Sequence, residues 1–220
     1  YANGIHHLSY GLVDLPTGRM KTREGTVVDA DDLLDEMDLT AAQKTREVGK
    51  IENFSETEQL TLFHQLGLGA LKFYILKVDP KKRIIFNPEE SIDFHGFTGP
   101  FIQYTHARIC SVLRKAAERS ISAEGHAGIQ LLDPVERSLI MQLHEYPSII
   151  SESADKFEPS TLANYLYHLA KAYNHFYATL PILNAVEEQQ CKFRLQLSSA
   201  IASIIKKGMK LLGIDVPDQM

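Results

Sequence analysis

The chain has 220 residues, 44% of them hydrophobic and 23% charged, with a formal net charge of −5. That much apolar material builds a buried core, which excludes a disordered chain, and the length suits one large domain or two modest ones. No run of the sequence reaches the roughly 18 consecutive apolar residues that cross a bilayer, the start lacks the charged-then-apolar layout of a secretion signal, and the charge excludes bulk positive attraction for nucleic acid.

A cytoplasmic location with no membrane partner is therefore expected. Charge is unevenly spread: residues 29–58 hold ten acidic and three basic residues, so that stretch carries −7 and the remainder +2. A local basic surface stays open. Cys110 and Cys191 lie 81 positions apart with no CxxC or Cys/His spacing, so neither a disulfide framework nor a zinc site is expected, and both thiols are expected to be buried. The first residue is Tyr and the opening reads like the interior of a longer sequence, so a fragment is expected.

In chain order, residues 5–13 and 26–28 are β-prone and flank a turn-rich loop. Asp29 followed by Asp31 and Asp32 predicts a helix starting near Ala30, its acidic first turn facing the positive end of the helix dipole. Ser55 and Glu58 form a capping box for an apolar helix through Leu62, Phe63, Leu66, Ala70, Phe73 and Tyr74, ended by Asp79-Pro80. Residues 81–95 read as an irregular or hairpin connection around Ile84, Ile85 and Phe86, and Thr98-Gly99-Pro100 opens the next helix. That helix sets Phe101, Tyr104, Thr105, Ile109, Val112 and Ala116 along one side, leaving Gln103, His106, Arg114 and Lys115 largely elsewhere. Residues 120–132 are linker-like. Asp133-Pro134-Val135-Glu136 caps a helix running to Tyr146, a short one follows Pro147, and two more occupy 159–178 and 187–212, the last closed by Gly213. An antiparallel bundle is predicted, with Leu162, Tyr165, Leu166, Leu169, Tyr173 and Phe176 facing Leu197, Ile201, Ile204 and Ile205.

Arg19, Lys21 and Arg23 fall between Gly18 and Gly25, where flexible backbone and three cations suit phosphate; an ordinary solvated turn explains the same residues. His6 and His7 would point to opposite faces of a strand, and the other histidines have no acidic or cysteine partner at metal-binding spacing, so no metal is expected. No GxSxG turn supports a serine nucleophile. Tyr165, Tyr173 and Phe176 read as core. Tyr104 and Tyr177, with Gln103, Arg108 and Asn174, are the better candidates for exposure, where rings beside Arg and Asn can stack an unpaired base and read its edge.

Four segments resemble the arginyl-tRNA synthetases, in order and over nearly the entire chain. They are His7-Leu8-Ser9-Tyr10-Gly11 followed by Met20-Lys21-Thr22-Arg23-Glu24-Gly25; Asp32-Leu33-Leu34-Asp35-Glu36; Gly96-Phe97-Thr98-Gly99-Pro100-Phe101-Ile102-Gln103-Tyr104-Thr105-His106-Ala107-Arg108; and Leu211-Leu212-Gly213-Ile214-Asp215-Val216-Pro217-Asp218-Gln219-Met220.

The resemblance implies the C-terminal portion of a class I synthetase, which joins arginine to its tRNA through an arginyl-adenylate made from ATP, with magnesium as counter-ion and pyrophosphate leaving. The implied fold is mainly α: residues 1–91 close the catalytic domain with a small α/β remnant, and residues 92–220 form a helical anticodon-binding bundle, as a monomer. The signature loop corresponds to Arg19, Met20, Lys21, Thr22 and Arg23 and departs from K-M-S-K-S, with Arg19 for the first lysine, Lys21 for the serine and Thr22 for the second lysine. Arg19 or Lys21 is then the cation for the leaving pyrophosphate, with Gly25 beside the nucleotide. Tyr104 and Arg108 are implied to face the anticodon loop of tRNA for arginine, and Met220 to close the same surface with its carboxylate; Gln103, Asn174 and Tyr177 complete the expected tRNA-binding set. The H-I-G-H-type motif and the arginine pocket are missing, so the fragment alone is expected to bind tRNA weakly and catalyse nothing; DNA is not an expected partner. Two other readings remain at this point: a helical interaction module for protein partners, and the tRNA-binding part of another class I synthetase such as the cysteinyl or methionyl enzyme.

Overall fold

The computed structural model describes residues 4–16, 29–48, 51, 54–123 and 131–220. Its elements run β1 (Val13–Asp14), α1 (Ala30–Val48), α2 (Glu56–Leu76), β2 (Ile84–Ile85), α3 (Pro88–Ser91), α4 (Gly99–Glu118), α5 (Pro134–Lys156), α6 (Pro159–Thr179) and α7 (Glu188–Leu211). The mainly helical architecture follows the expectation. The cationic loop around Arg19, Met20, Lys21, Thr22, Arg23 and Gly25, and the β-prone residues 26–28, lie outside the described residues.

The helices start where local chemistry directs. The Asp29 carboxylate accepts the Asp31 amide at 3.1 Å ahead of α1. Ser55 and Glu58 cap α2 reciprocally, the Ser55 amide donating to Glu58 Oε2 at 2.8 Å. Thr98 caps α4 through the Phe101 amide, and Asp133 and Glu136 form a second capping box ahead of Pro134 in α5. Gly213, at φ 71°, stops α7 with a left-handed residue, a conformation glycine takes without a steric penalty.

Three expectations change. The segment ahead of residue 14 contributes a strand of only Val13–Asp14, and its partner is the connection after α2: β1 and β2 pair in parallel, Val13 with Ile84 and Asp14 with Ile85, rather than as a hairpin. The second helix ends at Leu76, with Lys77 as its cap, before the predicted Asp79-Pro80 stop. Pro147 does not divide two helices; it lies inside α5. A proline there forfeits one backbone hydrogen bond and crowds the preceding turn. Ile140, Leu143, Tyr146 and Ile149 nonetheless carry one apolar stripe past it into the bundle core, and packing of that stripe outweighs the local cost.

Two apolar cores share α2. Leu62, Phe63, Leu66 and Ala70 join Met37 and Ala41 of α1 with Phe86, Ile92 and Phe94. Phe73, one turn on, joins α4–α7, where Ile102, Ile109, Leu139, Leu166, Leu169, Tyr173, Phe176, Leu195, Ile201 and Ile205 fill the bundle. At the crossing of α2 and α4, a Cβ on Gly99 would meet the Gly69 carbonyl oxygen at 2.6 Å, so the two backbones touch there. Among the described residues, no helix is long and apolar enough to cross a membrane.

Candidate nucleic-acid interface

The stripe Tyr104, Arg108, Ser111 and Lys115 advances along α4 by four, three and four residues, the repeat that keeps side chains on one helical face. Opposite it lie Tyr177 near the end of α6 and the turn at residues 180–184, and Met220 closes one side. Together they enclose a groove of about 560 Å³, into which Arg108, Arg114, Lys115 and Arg119 bring four cations. A separate hollow of about 760 Å³ between α1 and α2 is lined by Leu39, Leu60 and Phe63 and mixes Arg46 with Asp38 and Glu47, so it has no such excess of positive charge.

At the centre of the groove, the Arg108 guanidinium lies 4.9 Å from the ring centre of Tyr104 and 5.2 Å from that of Tyr177. It donates to Asn174 Oδ1, and Asn174 Nδ2 in turn donates to Thr105 Oγ1 at 2.8 Å. The chain Arg108–Asn174–Thr105 orients the guanidinium beside both rings. A planar cation beside aromatic rings offers a surface for nucleobases and a charge for phosphate, and its donors not engaged by Asn174 can read a base edge. At the far end Arg119 donates to Asn184 Oδ1 at 3.1 Å.

The turn at residues 180–184 is braced from behind. Glu136 and Arg194 form a buried ion pair at 2.7 Å, and Arg194 also donates to the Pro181 carbonyl at 2.7 Å. The Glu136 carboxylate simultaneously accepts the Asp133 amide at 2.9 Å, so one buried pair joins the start of α5, α7 and the groove wall.

Of the expected binding residues, Tyr104, Arg108, Tyr177 and Met220 line the groove, and Asn174 stands behind it as the partner of Arg108. Gln103 is a correction. It was expected at the surface and is fully buried, its amide donating to the backbone carbonyls of Gln65 at 3.0 Å and Asp215 at 2.8 Å. Those bonds satisfy the NH2 end of the amide and turn it inward, while Oε1 is buried without a hydrogen-bond partner. Tyr165, Tyr173 and Phe176 are core, as their spacing indicated. Arg114, Lys115, Arg119 and Asn184 join the groove without having been predicted; the four-three-four repeat from Tyr104 to Lys115 was the available signal for Lys115, whereas Asn184 had none.

His106 also departs from expectation. Cys110, one turn along α4, and Asp218 from the chain end bring a thiol and a carboxylate beside it. Cys110, expected to be buried, is only half-buried. The Cys110 sulfur is 3.8 Å and 3.9 Å from the two ring nitrogens, about equally far from each. His106 Nδ1 is engaged with the Pro217 carbonyl at 2.9 Å, and Lys206 reaches the Asp218 carboxylate at 3.4 Å. The three ligand atoms lie within 4.8 Å of one another, and with Nδ1 engaged by Pro217 and Asp218 by Lys206 the cluster anchors the C-terminal residues.

Residues 102–220, more than half the chain, match the family described as DALR anticodon binding domain. The chain belongs to that family. Similarity to individual relatives also covers the residues ahead of that match. The chain is 52% identical over 223 residues to the arginine–tRNA ligase of Flavobacterium psychrophilum and 52% identical over 222 residues to that of Amoebophilus asiaticus, covering 100% of this chain and 36% and 37% of those proteins. It thus spans little more than a third of the curated relatives it matches, and it is similar to their C-terminal portion. Among solved structures, Thermus thermophilus arginyl-tRNA synthetase superposes with a TM-score of 0.87 at 32% identity, covering 100% of this chain and 36% of that one. The arginyl-tRNA synthetase of Plasmodium falciparum shares the fold, with a TM-score of 0.80 at 24% identity over 97% of this chain and 35% of that one.

Proposed function

We propose that the groove between α4, α6 and the C-terminus binds the unpaired anticodon bases of tRNA for arginine, and that the whole protein is an arginine–tRNA ligase. The observation that carries the reading is the Arg108 guanidinium held beside the Tyr104 and Tyr177 rings within a concavity that gathers four cations. Rings and the planar face of Arg108 meet bases, while the charges of Arg108, Arg114, Lys115 and Arg119 meet the backbone phosphates. Membership of an anticodon-binding family supports RNA as the ligand class, and the arginine–tRNA ligases among the relatives support the choice of tRNA.

For residues 19–25 the support is the resemblance alone: Arg19, Met20, Lys21, Thr22 and Arg23 are assigned to the ATP-dependent step, with Gly25 beside the nucleotide. Dividing the chain near residue 92 into the end of a catalytic domain and the anticodon-binding domain is supported by most buried apolar residues up to Phe94 lying in one core and most from Ile102 on in the other, with Phe73 the exception. The present chain is assigned binding without catalysis.

The test is fluorescence anisotropy of the 220-residue chain with a labelled anticodon stem-loop of arginine tRNA, against a stem-loop of the same length carrying another anticodon. Tighter binding of the arginine anticodon is expected. Equal affinity for both would refute the assignment of the groove to base recognition.

A further inference from the structure

Two adjoining faces of α4 carry different tasks, with Arg114 at their border reaching both the groove and the chain end. One presents Tyr104, Arg108 and Lys115 to the groove. The other, through Gln103, His106 and Arg114, holds the end of the chain. Gln103 Nε2 donates to the Asp215 carbonyl at 2.8 Å, His106 Nδ1 to the Pro217 carbonyl at 2.9 Å, and Arg114 to the Asp218 carbonyl at 2.9 Å. Residues 214–220 belong to no helix or strand, so side chains from α4 satisfy the backbone acceptors that secondary structure would otherwise pair. Ile214 and Val216 are buried in the bundle core. Asp215 and Asp218 turn outward to Lys210 and Lys206.

The segment therefore acts as a strap laid over α4, and its last residue, Met220, comes round to wall the groove and packs in the cluster that includes Tyr104. Of the strap's three α4 anchors, His106 holds Pro217, between Gln103 at Asp215 and Arg114 at Asp218; unlike Arg114 it does not line the groove, and it is almost fully buried. Burial pushes its imidazole below the ordinary histidine value, which keeps the ring neutral, and the proton on Nδ1 is the one donated to Pro217.

We propose that His106 is a positioning residue for RNA binding: without touching the groove, it fixes the C-terminal strap so that Met220 stands against Tyr104 as a wall of the base-binding site. The proposal rests on the groove reading above and deepens it. The strap's position is set by side-chain donors rather than by regular backbone pairing, so removing one donor loosens the wall while leaving the bundle intact.

The experiment measures affinity of the 220-residue chain for the labelled anticodon stem-loop in five variants: His106→Ala, His106→Asn, Arg108→Ala, deletion of residues 217–220, and that deletion combined with His106→Ala. His106→Ala is expected to weaken binding about five- to thirty-fold, the loss of one buried hydrogen bond and the order it confers. His106→Asn, whose Nδ2–H replaces the imidazole Nδ1–H, is expected to restore most of it. In the deleted chain His106→Ala is expected to cost nothing further, because its effect passes through the strap.

Unchanged affinity of a folded His106→Ala, or an equal loss in intact and deleted chains, would overturn the proposal. Should His106→Ala fail to fold, the deletion with native His106 decides: it must weaken binding, and wild-type affinity in that chain sinks the strap. Arg108→Ala separates the two readings. If it weakens binding while His106→Ala does not, the strap alone fails; if neither does, the groove assignment fails with it.

Discussion

Replacing Arg108 separates charge from shape in the groove. Its guanidinium lies about equally far from the Tyr104 and Tyr177 ring centres, at 4.9 and 5.2 Å, and is oriented by Asn174. Lysine keeps the positive charge but ends in a compact ammonium that cannot lie flat beside two rings or offer a planar fork of donors. Arg108→Lys is therefore expected to lower affinity for the anticodon stem-loop by about 1–2 kcal/mol, roughly five- to thirty-fold, while leaving the salt dependence intact. Arg108→Ala loses the stack and a cation. With four cations in the groove, the slope of log affinity against log salt is at most about −2.8 for a single-stranded ligand, and Arg108→Ala brings it to about −2.1. The wild-type chain should accordingly bind about 50-fold more weakly at about 200 mM than at about 50 mM salt. Anisotropy titrations across a salt series measure both quantities. Arg108→Lys binding as tightly as wild type would refute the stacking role, and an unchanged slope for Arg108→Ala would remove Arg108 from the phosphate-facing set.

Other outcomes concern the scaffold behind the groove. Arg194→Met leaves the Glu136 carboxylate buried without its partner and should destabilise the fold by about 3–5 kcal/mol in urea melts, with Arg194→Met plus Glu136→Gln costing less than the sum of the single changes. Gly99→Ala forces a Cβ to 2.6 Å from the Gly69 carbonyl, a backbone atom that cannot swing aside, and is expected to cost about 1–3 kcal/mol by thermal or urea melting; unchanged stability would mean the two helices are not in contact there. Burial pushes the Tyr173 phenol up to about 12, against a smaller opposing effect of its Ser198 hydrogen bond. The unfolded chain then loses that proton first, so its contribution is complete below pH about 10 and is lost as pH rises toward about 12, by up to about 3 kcal/mol. Tyr173→Phe should flatten that part of the stability–pH curve without abolishing it, since burial also raises Tyr165, Tyr146 and Tyr74. A curve as steep in Tyr173→Phe as in wild type would contradict the assignment.

Helix starts were legible in the sequence because the groups that decide them lie within four residues of one another. Ser55 with Glu58, Thr98 with Phe101 and Asp133 with Glu136 each satisfy amides that the helix leaves unpaired, whatever the remainder of the chain does. Tyr104 and Arg108 were legible too, since one turn of helix separates them. The tertiary structure alone decided the features that join distant residues. Gln103 reads as polar surface until Gln65 and Asp215 arrive to accept from its amide. Pro147 reads as a helix break until α5 is laid on the bundle. The parallel pairing of Val13 with Ile84 has no counterpart in local pattern. The groove itself is of this kind: Arg108 meets Asn174, 66 residues on, and Arg119 meets Asn184, 65 residues on, only where α4 lies beside α6 and the turn after it. Local hydrogen bonds and periodicity dictate where helices begin and which residues share a face, but which faces meet depends on how apolar stripes from different helices interlock.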